Sequence, residues 1–270
     1  MCGLFWSSAG VLIKLVDANP IAIWSVRCGI CALTLGIVGR PSLRRISRDE
    51  WLAAGANALT TGLFIVANKL TTAANAILIQ YSAPVWIALL GAWFLGERAT
   101  RLDWATIVAV LGGIALFFFE RLTFDHVAGN LVALTAGVAY AFQAMLLRRV
   151  ATRGGSALRA LFLGSLLGAV LGAPVAIATL RPTGTAIAAL VALGVVQQGF
   201  AYLCYARAAV HATALEAMLI PVIEPIFSPI WVAIAVSEVP GPWALAGGAI
   251  VIVAVTLRGV LAPARVSPSA

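Results

Sequence analysis

The fold is decided by the stretch AANAILIQYSAPVWIALLGAWFLGER, residues 73–98. Its first 23 residues, 73–95, contain no Asp, Glu, Lys or Arg. A helix that crosses the hydrocarbon core of a bilayer, about 30 Å thick, needs about 20 such residues. The stretch therefore predicts a membrane-spanning helix with a kink at Pro84, because a proline inside a helix removes one backbone hydrogen bond.

The composition of the whole chain agrees with a membrane protein. Of its 270 residues, 62% are hydrophobic and 10% are charged, whereas a soluble domain has about 25% charged residues. So few charged side chains cannot cover a water-soluble surface, and most side chains must contact lipid or other helices. The net charge of +8 lies in short loops rather than on one face of a domain, which argues against a nucleic-acid partner.

Charged residues, prolines and turn residues divide the chain into ten apolar segments. Strands of a membrane barrel would alternate in polarity over about ten residues, and these segments are continuously apolar instead. The sequence therefore predicts an all-α membrane protein with ten transmembrane helices. The predicted helices are residues 2–16, 21–38, 51–69, 73–95, 104–119, 129–147, 157–180, 186–205, 212–236 and 243–261.

Lysines and arginines fall mainly on one side of the predicted membrane, because 13 of the 18 lie in loops on that side. These 13 are Arg40, Arg44, Arg45, Arg48, Arg98, Arg101, Arg148, Arg149, Arg153, Arg159, Arg207, Arg258 and Arg265. The other side holds Lys14, Lys69, Arg121 and Arg181, and Arg27 lies inside a segment. Since cytoplasmic loops carry the excess of positive charge, we predict a multi-pass protein of the cell (inner or plasma) membrane with both termini in the cytoplasm.

The two halves of the chain resemble each other at an offset of 141 residues. Pro84 of the fourth segment aligns with Pro225 of the ninth. Each proline precedes a glutamate, Glu97 or Glu238, by 13 residues. Both Pro84 and Pro225 are therefore predicted helix kinks.

The first and sixth segments align at an offset of 134, which places Trp6 on Tyr140 and Lys14 on Arg148. Because five helices per half is an odd number, the second copy must enter the membrane from the opposite side, as in the inverted repeats of many secondary transporters. The predicted halves are residues 1–121 and residues 122–270, the latter with a short cytoplasmic tail. The alignment leaves the first segment about five residues short, so we expect the natural reading frame to extend upstream.

Six short motifs follow one another along nearly the whole chain. They are Phe5-Trp6-Ser7-Ser8 with Lys14, Pro20 followed by Arg27, Ala73-Ala74-Asn75-Ala76 leading to Pro84, Leu95-Gly96-Glu97-Arg98, Glu224-Pro225 and Ser237-Glu238. In this order they resemble the drug/metabolite transporter superfamily, in its EamA-like branch of ten-helix carriers. Ser237 stands where glycine is usual in that family.

This resemblance implies a bundle of ten helices with a central cavity. It also implies export or uptake of a small metabolite or drug-like molecule, such as an amino acid, by alternating access. The family hosts many substrates, so the resemblance names none for this chain.

Four ionisable side chains stand out within the predicted helices, since such a group costs about 2.5 to 3.5 kcal/mol at the bilayer centre unless it faces a cavity or a partner. We expect Arg27 and Glu224 to face the transport pathway, with Glu224 as a candidate for proton coupling. The alternatives are an arginine that reaches the surface or a helix carbonyl, and a structural acid beside Pro225. Glu216 is either a gate residue or an ordinary carboxylate at a helix start, and Lys14 is either a pathway residue or an interfacial lysine.

Uncharged polar and aromatic residues are further candidates for lining the pathway, although such groups also join neighbouring helices or lie at the membrane interface. Asn68, Gln80 and Gln197 interrupt otherwise apolar stretches away from the segment ends and are the first to test. The full set is Trp6, Asn68, Gln80, Tyr81, Tyr140, Gln143, Gln197, Gln198, Tyr202 and Tyr205.

Other functional classes lack support in the sequence. Cys28 and Cys31 have C-x-x-C spacing, but in an apolar segment without a nearby histidine we expect them to pack rather than bind a metal. We expect no cofactor and no catalytic residue, because no H-E-x-x-H, G-x-S-x-G or Walker-type motif is present.

The alternative to a secondary transporter is a non-transporting membrane receptor or assembly subunit. The predicted partners are the lipid bilayer and a small-molecule substrate. Proton coupling and facilitated exchange both stay open, as does the oligomeric state.

Overall fold

The computed structural model describes residues 2–117, 119, 125–181, 183–209, 211–219, 224 and 242–261. The regular structure of these residues is helical, and no strand occurs among them, which confirms the prediction of an all-α protein. The α-helices are α1 (Cys2–Trp6), α2 (Ala9–Lys14), α3 (Pro20–Thr34), α4 (Arg48–Leu70), α5 (Ala73–Gln80), α6 (Ala83–Phe94), α7 (Arg101–Phe117), α8 (Val127–Thr152), α9 (Ala157–Thr179), α10 (Gly184–Ala192), α11 (Ala201–Ala208), α12 (Ala214–Leu219) and α13 (Pro242–Leu261).

Six helical stretches among the described residues are long and apolar enough to cross a membrane, and Leu245–Leu261 is a shorter apolar helix. The ninth predicted segment, 212–236, lies mostly outside the described residues, so the count of ten helices stays a prediction. The six stretches are Pro20–Gly39, Arg48–Leu70, Asn75–Phe94, Val127–Thr152, Ala157–Thr179 and Gly184–Ala208.

Two of the predicted helices are broken. The segment 2–16 is interrupted at Ser7–Ser8, where the Ser7 hydroxyl donates to the Leu4 carbonyl oxygen at 2.7 Å and the Ser8 hydroxyl donates to that of Phe5 at 2.9 Å. Such side-chain bonds compete with the regular ladder of the helix. The segment 73–95 is interrupted between α5 and α6, just before Pro84, which has no N–H to continue the ladder.

Two wider, π-helical stretches extend the regular helices. Leu35–Gly39 continues α3, and Leu193–Phe200 joins α10 to α11. Each π-helical hydrogen bond spans five residues rather than four, so the neighbouring side chains rotate around the axis relative to an α-helix. Leu193–Phe200 thereby buries both Gln197 and Gln198, which are adjacent in sequence.

Small residues let the helices pack closely, as is common in membrane bundles. α3 packs against α9, α4 packs against α8 and α9, and α7 packs against α13. A Cβ atom at Gly164 of α9 would lie 2.6 Å from the Ala54 carbonyl oxygen of α4, and one at Gly172 would lie 2.7 Å from Ser25 Cβ of α3. The two glycines therefore fix how near α9 approaches both neighbours.

Ion pairs mark one end of the bundle, which we name the arginine-rich end. At this end α4, α7, α9 and α12 begin, and α6, α8 and α13 end. Six ion pairs between described residues lie there. Large apolar side chains such as Trp93, 83% exposed, cover the outside of the bundle, as expected of a surface that faces lipid.

Candidate functional site

A polar cavity of about 70 Å³ lies in the middle of the bundle. It is bordered by α1, α3, α4, α8, α11, the π-helical stretch Leu193–Phe200 and the residues at the break between α5 and α6. The breaks described above therefore occur beside the cavity. Interrupted helices at membrane depth release backbone groups and make room for polar side chains, which is how many transporters build their binding sites.

Arg27 is the least compensated charge at this cavity. Its side chain comes from the middle of α3 and is 4% exposed. Neither Nε nor Nη1 has a hydrogen-bond partner among the described residues. A buried guanidinium with two such unsatisfied nitrogens keeps much of the cost of leaving water, so its presence here calls for a reason other than stability.

Glu224 is the acid of the cavity. The Tyr81 hydroxyl, at the break between α5 and α6, donates to Glu224 Oε2 at 3.0 Å. Pro225, the predicted kink beside it, lies outside the described residues.

Asn57 connects α4 with α8 and α11 beside the cavity. Its Oδ1 accepts a hydrogen bond of 3.1 Å from Gln143 Nε2 of α8 and one of 2.6 Å from the Tyr202 hydroxyl of α11. All three side chains are buried. Asn57 therefore holds two polar residues of the cavity wall, Gln143 and Tyr202, in place.

Aromatic rings line the side of the cavity near α1. The Trp6 ring centroid lies 6.4 Å from that of Tyr140, 6.4 Å from that of Tyr202 and 5.9 Å from that of Tyr205. Such distances are typical of favourable edge and tilted contacts between rings. The cavity thus combines one cation with two unsatisfied nitrogens, one acid, several amides and a flat apolar wall.

Nine of the candidates predicted from the sequence line this cavity. They are Trp6, Arg27, Gln80, Tyr81, Tyr140, Gln143, Gln197, Tyr202 and Glu224.

Other candidates lie elsewhere. Asn68 Nδ2 donates to the Phe64 carbonyl oxygen of its own helix at 2.9 Å. Glu216 lies at the start of α12, where its carboxylate accepts from the Thr213 backbone N–H. Pro84 is buried at the second position of α6, and the side chain of Lys14 lies outside the described part of the chain.

Sequence reasoning missed Thr60, Thr61 and Phe64 of α4, which also line the cavity. A signal for them was present. Asn57 and these three residues recur at intervals of three to four, so they share one helix face. The polar residues 57, 60 and 61 interrupt an apolar segment on that face. Their shared face becomes visible only when the residues are considered together.

Hydrogen-bonded ion pairs tie helices together at the arginine-rich end. Arg148 Nε of α8 donates to Glu97 Oε1 at 3.1 Å, and the Ala214 backbone N–H of α12 donates to Glu97 Oε2 at 3.2 Å. Arg258 Nε of α13 donates to Asp103 Oδ1 at 2.9 Å. Glu97 therefore bridges α8 and α12.

Glu216 belongs to this ionic cluster as well. Its Oε1 lies 3.3 Å from Arg258 Nη1. Arg258 is 6% exposed. It therefore meets its two acidic partners, Asp103 and Glu216, in a buried position. The cluster links α7, α12 and α13 at the arginine-rich end.

Comparison with known proteins identifies the family. A search of curated proteins found no significant match. Among solved structures 29 chains match. One of them, described only as "Crystal structure of protein", has a TM-score of 0.82 and 22% sequence identity, over 97% of this chain and 94% of that chain. At that identity the likeness shows a shared fold.

The family model called the EamA-like transporter family matches the chain twice, over residues 1–119 and over residues 127–259. The two matches cover nearly all of the sequence. The family consists of membrane transporters rather than enzymes. This chain, a multi-pass membrane protein, belongs to the EamA-like transporter family.

Proposed function

We propose that this chain is a secondary transporter that moves a small polar or amphipathic molecule across the cell membrane by alternating access. In this proposal ten helices form two inverted halves, residues 1–121 and 122–270, with both termini in the cytoplasm. The substrate occupies the central cavity, where Arg27 pairs with an anionic or strongly polar group of the substrate. The aromatic wall formed with Trp6 holds its apolar part.

The observation that carries this proposal is the buried Arg27 without hydrogen-bond partners for Nε and Nη1 among the described residues. An arginine in a transmembrane helix is costly and typically marks a substrate or ion pathway. A substrate carboxylate or phosphate could accept two parallel hydrogen bonds from the guanidinium. In this proposal the substrate supplies the acceptors that the two nitrogens lack, and it leaves them when it is released.

Contacts between residues 134 positions apart support the inverted arrangement. Trp6 meets Tyr140 through their rings, and the Ser165 hydroxyl donates to Cys31 Sγ at 3.5 Å. When two halves are related by a two-fold axis, equivalent residues meet only near that axis. Both pairs have the offset at which the first and sixth segments align, so they support an axis that passes close to the cavity.

The ion pairs at the arginine-rich end support a conformation that is closed at that end. In the proposed cycle these pairs break when the cavity opens there, and the substrate is released or taken up. Glu224 is proposed to modulate coupling, because its carboxylate lines the cavity and bonds Tyr81. A proton on Glu224 would change the net charge that faces Arg27.

Transport by purified protein in liposomes tests the proposal. A panel of labelled amino acids, organic cations and nucleotides, each with and without a pH gradient, should contain at least one compound that accumulates. For that compound the Arg27→Gln variant should lose most of its flux. The matched control is Arg181→Gln, which removes an exposed arginine that bonds the Leu180 carbonyl oxygen at 2.8 Å.

Two results would count against the proposal. If correctly folded protein moves no compound in the panel, the receptor or assembly role gains support. If Arg27→Gln transports at the parental rate, Arg27 has no part in recognition.

A further inference from the structure

A second and larger crevice lies at the arginine-rich end, apart from the central cavity. It has a volume of about 570 Å³ and lies between the start of α4, the end of α6 and the end of α8. Three arginines line it, Arg48, Arg149 and Arg153, together with the apolar side chains of Leu52, Phe94 and Phe142. Its wall is therefore divided into a basic part and an apolar part.

The basic part carries more positive charge than its acid can balance. Asp49 is the one acidic residue that lines the crevice in the described part of the chain. Arg153 Nη1 donates to Asp49 Oδ2 at 2.8 Å, while Arg149 Nε lies 3.3 Å from the same oxygen without forming a hydrogen bond. Three arginines against one carboxylate leave a net charge of about two for a ligand to neutralise.

The apolar part of the wall is aromatic and tightly built. The rings of Phe94 and Phe142 meet edge to face, with centroids 6.1 Å apart. The guanidinium carbon of Arg149 lies 5.3 Å from the centroid of the Phe94 ring. This contact holds Arg149 at the boundary between the two parts.

Exposed tryptophans place the crevice at the level of the lipid headgroups. Trp51 follows Asp49 by two residues and is 51% exposed, and the strongly exposed Trp93 precedes Phe94. Exposed tryptophans near helix ends typically lie at the boundary between the hydrocarbon core and the headgroups. A ligand in the crevice would thus have its anionic group at the arginines and its apolar part along Leu52 and Phe142.

We propose that this crevice is a binding site for an anionic phospholipid. The phosphate group would contact Arg48, Arg149 and Arg153, and one acyl chain would follow the apolar part of the wall. Basic pockets between transmembrane helices at the headgroup level suit anionic lipids in general. A bound lipid would hold the start of α4 against the end of α8, and so would stabilise the contact that these two helices make.

Native mass spectrometry of the full chain in detergent tests this proposal. Phosphatidylglycerol and phosphatidylcholine with the same acyl chains are added separately, and the fraction of lipid-bound protein is measured. We expect clear preference for phosphatidylglycerol. In the Arg48→Gln, Arg153→Gln double variant its apparent affinity should fall about fivefold for each arginine removed, while the weak binding of phosphatidylcholine stays the same.

The matched control is the Arg44→Gln, Arg207→Gln double variant, which loses the same charge at exposed positions outside the crevice. It should bind phosphatidylglycerol like the parent. Arg153→Gln alone, at a side chain that is 60% exposed, is the second variant in case the double variant does not fold, and should show about half of the loss on a logarithmic scale.

Three outcomes would overturn the proposal. One is equal loss of phosphatidylglycerol binding in the crevice variants and the control, which would indicate general attraction to positive charge. Another is equal affinity for the two lipids. The third is a rise in melting temperature with inorganic phosphate alone that matches the rise with phosphatidylglycerol, which would assign the arginines to free phosphate.

Discussion

Arg27 and Arg258 are two nearly buried arginines that differ in their surroundings. Arg258 meets the carboxylates of Asp103 and Glu216, whereas Arg27 has no hydrogen-bond partner at Nε or Nη1 among the described residues. Removing one partner of a buried ion pair leaves the other charge uncompensated and is strongly destabilising, whereas buried nitrogens without acceptors detract from stability. Removing each guanidinium should therefore have opposite effects.

We predict that Arg27→Met raises the free energy of unfolding by about 1 to 3 kcal/mol, because two buried nitrogens without acceptors are removed. Arg258→Met should lower it by about 3 to 5 kcal/mol, because it leaves two acids near each other without their cation. Thermal unfolding of both variants in the same detergent measures the difference. A fall in stability for Arg27→Met would mean that Arg27 has a structural partner.

Asn57 and Asn68 form a second pair for comparison. Both lie in α4, but Asn57 bonds Gln143 and Tyr202 of other helices, while Asn68 bonds its own helix. We predict that Asn57→Ala destabilises the protein by about 1 to 3 kcal/mol, since Gln143 and Tyr202 lose their buried acceptor. Asn68→Ala should change both unfolding and transport little. Equal effects of the two substitutions would contradict the proposed role of Asn57.

Among single residues, the sequence singles out those that are costly to place in a membrane, and their role in transport stays a prediction. Arg27 and Glu224 stand out because an ionisable group in an apolar segment needs an explanation, and the cavity contains both. Thr60 and Thr61 did not stand out, because a threonine in a membrane helix can bond its own backbone at little cost. Both do so here, to Ala56 and Asn57 carbonyl oxygens, and still border the cavity.

Adjacent glycines in α7 test how the helices pack. A Cβ atom at Gly113 would lie 2.8 Å from Val251 Cγ2 and 2.9 Å from the Gly247 carbonyl oxygen of α13, whereas one at Gly112 would meet nothing within 4 Å. Gly113→Val should therefore separate α7 from α13 and cost about 1 to 3 kcal/mol. Gly112→Val is the control and should be tolerated. Thermal unfolding distinguishes them, and equal melting temperatures would contradict the close packing.

Hydropathy predicted where the helices lie better than where they break. The start and end of 157–180 agree with α9 (Ala157–Thr179) to within one residue, because the apolar length of a segment follows from the bilayer itself. The break at Ser7–Ser8 depends instead on where two hydroxyl groups bond. Composition does not contain that information, since the same serines could have faced a neighbouring helix.

The contact between α6, α8 and α12 joins distant parts of the molecule through Glu97. We predict that Glu97→Gln increases hydrogen exchange of the Ala214 amide about tenfold or more, because a bond to a charged acceptor contributes about 1.5 to 3 kcal/mol. Asp49→Asn is the control. Its partner Arg153 is largely exposed, so this pair contributes about 1 kcal/mol or less. Similar exchange of the Ala214 amide in both variants would indicate that Glu97 does not hold α12.

For the whole molecule, the internal repeat was the most informative feature of the sequence. The alignment of Trp6 with Tyr140 came from spacing alone, and in the structure the two rings touch. The ionic partners were not predictable in the same way. Arg148 is followed by Arg149, and only the rotation of α8 decides that the first meets Glu97 and the second meets Asp49.

The gathering of ion pairs at one end has a consequence for experiments on vesicles. Dissolved salt weakens exposed ion pairs and reaches only the face that it contacts. Salt added outside the vesicles should therefore weaken the ion pairs of those molecules whose arginine-rich end points outward. Molecules inserted in the opposite orientation should be unchanged. A mixed population would then respond in two phases, and the ratio of their amplitudes would report the proportion of each orientation.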